Sequence, residues 1–198
     1  MRAFQTVLYM LFFFSGCAAL IYQVIWQRML FTLFGLDLQS ITIIVSVFMF
    51  GLGIGGLLGG MISDQIRIKL LSLYIGIELC IAVFGFLSPT IIASLGAVTS
   101  GENEMIMGLV SFLILAFPTI LMGATFPILV TYVNSYDKSI GKAVGSLYFA
   151  NTLGGALGVL LSGFFLLNIM GLIGVINVAA FLNFMIAVIA FFIFRRLN

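Results

Sequence analysis

The sequence has no histidine, only two cysteines and three prolines, and charged residues make up just 7% of its 198 residues. A water-soluble domain is about one-quarter charged, so this chain has too few charges to cover a surface facing water. Neither cysteines nor acidic residues cluster at metal-ligand spacing, which predicts no metal site and no cofactor. The net charge of +2 is too small to indicate a nucleic-acid partner.

The composition is typical of an integral membrane protein, with 63% hydrophobic residues and a mean hydropathy of +1.33. A helix that spans a bilayer needs about 20 mostly apolar residues. Six segments meet this requirement: 5–27, 40–62, 70–95, 105–133, 143–167 and 171–194. The sequence therefore predicts an all-α, polytopic transmembrane bundle of six helices, forming a single transmembrane domain over residues 1–198.

The basic residues are distributed unevenly between the two sides of the predicted bundle. When successive loops alternate between sides, only Arg28 falls on the opposite side from the others. The others are Arg2, Arg67, Lys69, Lys138, Lys142, Arg195 and Arg196. Because cytoplasmic loops carry the excess of lysine and arginine, both termini are expected in the cytoplasm, with the chain in a bacterial plasma membrane.

Glycine is concentrated in two of the predicted spans, beginning with FGLGIGGLLGG at 50–60. In lipid, helices associate where small residues let their backbones approach closely. The spacing therefore predicts helix-packing faces of the GxxxG type, with the second span packed against the fifth. This contact could be static, or the two helices could slide along it. The predicted packing residues are Gly51, Gly55, Gly56, Gly59, Gly60, Gly154, Gly155 and Gly158.

Short internal matches indicate a repeat. GGLLG at 55–59 matches GGALG at 154–158, and IAV at 81–83 matches IAV at 186–188. Units with an odd number of spans lie in opposite orientations, so these matches predict an inverted 3+3 repeat of the kind found in transporters. The second match pairs Glu78 with Asn183, which are expected to pack near a pseudo-symmetry axis.

Glu78 is the only acidic residue deep in a predicted span. A carboxylate in hydrocarbon is costly and must face protein or water, or carry a proton. It is interpreted either as a proton or cation site or as a structural, hydrogen-bonded glutamate. The predicted outer end of the first span carries Tyr22, Gln23, Trp26 and Arg28, which form either an interfacial aromatic belt or a polar site for an anionic group.

Two prolines of the fourth predicted span and two further mid-span asparagines are also candidates for function. Pro118 and Pro127 predict a break in the fourth helix near midplane, which either bends the helix for packing or creates a place for substrate. Asn151 and Asn177 are polar at mid-span, where interhelical hydrogen bonding and ligand contact both remain open.

Several motifs together resemble the membrane portion of the membrane-bound spermidine-synthase-like proteins, which are commonly fused to a cytoplasmic aminopropyltransferase-like domain. They are SGCAALIYQVIWQRML (15–30), GLGIGGLLGGMISD (51–64), PTILMGATFPIL (118–129) and GKAVGSLYFANTLGGALGVLLSGFFLL (141–167). A shorter stretch, GGMISDQIRIK (59–69), is similar to a cytoplasmic loop of major facilitator transporters. It contains Asp64 and Arg67, interpreted as topology determinants or as a charge latch.

The resemblance implies association with polyamine chemistry. A spermidine synthase transfers an aminopropyl group from decarboxylated S-adenosylmethionine to putrescine, and these 198 residues contain neither its nucleotide-binding α/β domain nor its diamine-binding acids. The chain is therefore not expected to be an enzyme on its own.

The expected function is a free-standing membrane module of a spermidine-synthase-like system. It would move or present a small metabolite, such as a cationic amine, to a cytoplasmic enzyme partner. Two alternatives remain open. One is a self-sufficient small transporter that acts as a homodimer, and the other is a non-transporting scaffold for another membrane complex.

Overall fold

The described part of the chain folds into five long α-helices joined by short connections. The computed structural model describes residues 2–35, 37–66, 69–98, 103–137 and 139–197. The helices are α1 (Arg2–Phe34), α2 (Asp37–Gln65), α3 (Leu70–Val98), α4 (Glu104–Asp137) and α5, over 140–197. All five contain a stretch long and apolar enough to cross a membrane, which is compatible with an integral membrane protein.

α5 reduces the number of helices from the predicted six to five. It contains both of the last two predicted spans, 143–167 and 171–194, with no loop between them. Helix continues from a first arm (Ile140–Leu161) through a π-helical turn (Ser162–Leu166) into a second arm (Leu167–Leu197). The prediction of six helices is therefore wrong, and five helices do not divide into the predicted inverted 3+3 repeat. A single glycine, Gly171, makes the bend between the last two predicted spans.

Gly171 is the residue that bends α5. Its backbone has φ 66° and ψ −178°, a conformation adopted essentially by glycine alone. Gly158 of the first arm lies against Cys17 of α1, and Asn183 of the second arm binds a carboxylate that also binds Ser15 of α1. In a straight helix, residues 158 and 183 would lie about 37 Å apart. The two arms therefore fold back and lie side by side against α1.

The glycine row of α2 packs against α4. A methyl group added at Gly55 would collide with the backbone carbonyl of Ile120, and one added at Gly59 would meet the backbone of Ala124. Gly51 lies in the same way against Thr119. The backbones thus approach as closely as the missing side chains allow.

The glycines of the first arm pack against α1. Gly154 faces the backbone of Phe13, Gly158 faces that of Cys17, and Gly155 lies near Leu20. The predicted seam between the second and fifth spans is therefore wrong, because each glycine row has a different partner. The row formed by Gly56 and Gly60 has no heavy atom of a neighbour within 4 Å of an added methyl group, so neither residue lies in a tight helix contact.

α4 continues through both of its prolines. Pro118 and Pro127 lie inside a single 34-residue helix, so the predicted helix break is wrong. Proline removes one backbone donor, and hydroxyl side chains can satisfy carbonyls near such a site. Thr119 lies 2.9 Å from the carbonyl oxygen of Leu115, to which its hydroxyl donates, and Thr125 donates to that of Met122.

The directions of the helices bring basic residues to one end of the bundle. α1 and α3 run parallel, since Ser15 pairs with Glu78 and Trp26 with Ser88. α2 and α4 also run parallel. One end of the bundle therefore contains the start of α1, the end of α2, the start of α3, the end of α4, the start of α5 and the end of the second arm. Among the side chains that the structure describes, the exposed basic residues there are Lys69, Lys142 and Arg195. Arg28 and Glu104 lie toward the opposite end.

The contact between α2 and α4 can be tested with a pair of neighbouring glycines. Gly55→Ala should lower the free energy of unfolding by about 1–3 kcal/mol, because the new methyl group overpacks the backbone of α4. Gly56→Ala should be neutral or stabilising by up to about 1 kcal/mol, because alanine favours helix and has space there. Thermal unfolding in detergent micelles measures both, and equal effects of the two substitutions would contradict the packing described.

Candidate functional site

Glu78 is fully buried where three helical segments meet. Its side chain is 0% exposed. The hydroxyl of Ser15 on α1 donates to Oε1 at 2.8 Å, and the amide of Asn183 on the second arm donates to Oε2 at 2.5 Å. This hydrogen bond shows the expected contact between Glu78 and Asn183, but not the pseudo-symmetry axis near which the two residues were expected to pack. The carboxylate therefore ties α1, α3 and the second arm of α5 to one another.

Two tyrosines complete the surroundings of this carboxylate. Tyr22 and Tyr74 are both 0% exposed, and both lie close enough to Glu78 to interact with it electrostatically. The Tyr74 hydroxyl approaches the carboxylate and Ser15 without reaching hydrogen-bond geometry. We call Glu78, Ser15, Asn183, Tyr22 and Tyr74 the Glu78 cluster.

The Glu78 cluster has unused hydrogen-bonding capacity. The hydroxyl groups of Tyr22 and Tyr74 and the amide oxygen Oδ1 of Asn183 are all buried without a hydrogen-bond partner. Buried polar groups in proteins nearly always have partners, and each exception calls for an explanation, such as a bound water or ion. Two of these groups, the Tyr74 hydroxyl and Oδ1 of Asn183, adjoin the carboxylate and are free to bind a small polar ligand, whereas the Tyr22 hydroxyl lies against Gly85, two helical turns further along α3.

The Glu78 cluster also lacks a positive charge. The groups that contact the carboxylate are hydroxyls and an amide, and no lysine or arginine of the described ranges is among them. An ionised carboxylate buried in this way is unstable unless a cation pairs with it, and otherwise takes up a proton. The arrangement can therefore hold a proton or a small hydrogen-bonding cation.

Tyr22 and Trp26 belong to the protein interior. Their rings stack with centroids 4.9 Å apart, and both side chains are 0% exposed. The indole N–H of Trp26 donates to Ser88 at 3.0 Å, and Tyr22 fits against α3 because Gly85 has no side chain to block it. Such burial does not fit an aromatic belt that faces lipid.

Gln23 and Arg28 lie on another face of α1. With Gln27 they line a groove of about 400 Å³ between α1, α2 and the first arm. Arg28 is exposed and Gln23 is half-buried. The predicted outer site of Tyr22, Gln23, Trp26 and Arg28 is thus divided between two faces, and only its aromatic residues lie on the side of Glu78.

The remaining predicted residues are scattered. Asn151 is half-buried, with its backbone and side-chain oxygens against Gly16, and Asn177 is exposed on the second arm. Asp64 is exposed at the end of α2 and borders a cavity of about 420 Å³. Arg67 lies outside the described residues. None of these described side chains belongs to the Glu78 cluster.

Sequence reasoning missed Ser15 and Tyr74. Tyr74 precedes Glu78 by four residues, which places both side chains on one face of α3, so this spacing could have identified it. Ser15 stands in an apolar run of α1, and only the register of α1 against α3 brings its hydroxyl to Glu78. No local signal in the sequence carries that information.

Comparison with known proteins finds a distant relative. The chain is similar to a polyamine aminopropyltransferase of Oceanobacillus iheyensis, with 24% identity over 178 residues, or 89% of this chain and 33% of the relative. The chain thus spans about a third of the length of the curated relative that it matches. No protein-family model and no solved structure matches it. The resemblance to polyamine-synthesis proteins is confirmed in this distant form.

The hydrogen bonds of the Glu78 cluster can be tested by removing one hydroxyl at a time. Ser15→Ala should lower the free energy of unfolding by about 1–3 kcal/mol, because the carboxyl group loses a buried partner. Tyr74→Phe removes a hydroxyl that has no partner, so its effect should be near zero or stabilising. Thermal unfolding of both variants in the same detergent checks this, and a larger loss in Tyr74→Phe would contradict the arrangement.

Proposed function

We propose that this chain is an integral membrane module that moves or presents a small cationic amine to a cytoplasmic aminopropyltransferase-type enzyme unit. The similarity to a polyamine aminopropyltransferase supports the class of substrate and the kind of partner. The five apolar helices support the placement in a bilayer.

The buried Glu78 carboxyl group is the observation that carries this proposal. It is held by α1, α3 and the second arm of α5, and no cationic side chain of the described residues pairs with it. Ionisable side chains within membrane segments are rare and mark ion or substrate pathways. A purely structural contact between apolar helices would not require a carboxyl group whose charge must be neutralised by something else.

The proposed orientation places the end that carries Lys69, Lys142 and Arg195 in the cytoplasm. Basic residues on short loops favour that side of a membrane. The start of α1 and the end of the second arm both lie at this end, since α5 folds back at Gly171. An enzyme partner on the cytoplasmic side would then meet the end of the bundle nearer to Glu78.

Labelling of introduced cysteines tests the orientation. In a background in which Cys17 and Cys80 are replaced by alanine, Lys69→Cys should react with a membrane-impermeant maleimide only after the cells are opened. Glu104→Cys should react in intact cells, because it lies toward the opposite end of the bundle. Mass shift on a gel measures both reactions, and the reverse pattern would overturn the proposed orientation.

Neutralising the carboxyl group tests the function. The purified protein should bind radiolabelled putrescine in detergent, and Glu78→Gln should weaken that binding about tenfold or more, because an ammonium loses its only buried negative partner. Glu104→Gln is the matched control, since it neutralises an exposed acid far from the cluster. Unfolding curves must show that both variants remain folded.

The outcomes separate the alternatives. Equal binding by the native protein and Glu78→Gln, or no binding at all, would contradict the proposal and favour a scaffold. Uptake of putrescine into vesicles that contain only this chain would favour a self-sufficient transporter. Binding without such uptake, together with co-purification of an aminopropyltransferase, is the result that the proposal expects.

A further inference from the structure

We infer that Glu78 exchanges a proton for one primary ammonium group, so that each amine bound at the Glu78 cluster releases one proton. The inference rests on the proposed function and adds to it a chemical group, an anchoring residue and a coupled ion. Three observations support it: the charge balance of the cluster, its unpartnered atoms and its closure.

Because Glu78 is buried, its negative charge must be neutralised, either by a proton on the carboxylate or by a bound cation. The groups that face it are Ser15 from α1, Tyr74 from its own helix and Asn183 from the second arm, and Tyr22 acts on it from further away. All of these groups are neutral. A proton and a cationic ligand would therefore compete for the same carboxylate, because a buried charge without compensation is costly.

The unpartnered atoms match a primary ammonium group. An ammonium of this type has three N–H donors and no acceptor. The cluster offers three acceptors near the carboxylate: an oxygen of Glu78, the free Oδ1 of Asn183 and the hydroxyl oxygen of Tyr74. A quaternary ammonium has no N–H donor and would leave these acceptors unsatisfied, so the cluster is expected to discriminate against it.

Because the cluster is closed to water, binding of the amine and release of the proton are coupled. Glu78, Tyr22 and Tyr74 are 0% exposed, so bulk water does not screen the carboxylate once the helices are together. We expect a cation to enter where the second arm meets α3, at the bond between Asn183 and Glu78. Gly171 lies at the start of the second arm, and hinge motions are commonly taken up by such element-terminal residues.

The exchange balances in atoms and charge. Before binding, Glu78 is a neutral carboxylic acid. On binding, its O–H bond breaks, the proton leaves to water, and the ammonium group enters with its positive charge opposite the new carboxylate. The net charge of the cluster is unchanged, and no oxidant, reductant or further reactant takes part.

Proton release measured with a pH-sensitive dye in weakly buffered detergent solution tests the inference. Addition of n-butylamine or putrescine, both as hydrochlorides adjusted to the sample pH, should release about one proton for each molecule bound at a pH where Glu78 starts protonated. Tetramethylammonium chloride and sodium chloride should release none. Glu78→Gln should release none with any of these salts, whereas Glu104→Gln should behave as the native protein.

Acidification gives a second readout. Because protons and amine compete, the dissociation constant for n-butylamine should rise about tenfold for each pH unit below the point where Glu78 ionises. Tyr74→Phe, which keeps the carboxyl group, should retain proton release with weaker binding of n-butylamine.

The possible failures are distinguishable. If radiolabelled putrescine binds to the native protein and no proton is released, the exchange is wrong while the proposed function stands. If putrescine does not bind, both fail. If sodium chloride releases protons as n-butylamine does, the site takes a metal cation and the assignment to a primary ammonium is wrong.

Discussion

Close approach of helix backbones is the constraint on which the rest of this structure depends. Apolar helices in lipid gain little from hiding apolar surface from one another, so contact requires surfaces without protruding side chains. Gly51, Gly55 and Gly59 provide such a surface for α4, and Gly154 and Gly158 provide one for α1. These two tight pairs set the register of the bundle. The pairing of α1 with α3 and the second arm then brings Ser15 and Asn183 to Glu78.

The polar cluster therefore depends on contacts made elsewhere in the bundle. An ionisable group buried by apolar helices is costly, and partly satisfied polar networks are worse for stability than apolar packing. Glu78 and its neighbours include three buried polar atoms without a hydrogen-bond partner. Sites that bind ligands commonly depart from optimal packing in this way, and the tight glycine contacts hold the cluster together in spite of that cost.

The sequence was informative about what each residue prefers and much less so about which helices meet. Hydropathy identified the helical class, and the burial cost of a carboxylate singled out Glu78 and, through a short internal match, Asn183. The number of helices was wrong because Gly171 turns the chain without a loop. The break at Pro118 and Pro127 was wrong because α4 accommodates both prolines. Partner choice for the glycine rows and the role of Ser15 depend on register, which no local pattern contains.

The bend at Gly171 has a consequence for how this chain can vary. Because α5 reverses its direction at one glycine, no loop can absorb a change in length between residue 171 and Asn183. One inserted or deleted residue there would rotate the amide by about 100° around the helix axis, since each residue of an α-helix turns by that angle. Asn183 would then face away from Glu78. This stretch should tolerate exchanges of side chains but neither insertions nor deletions.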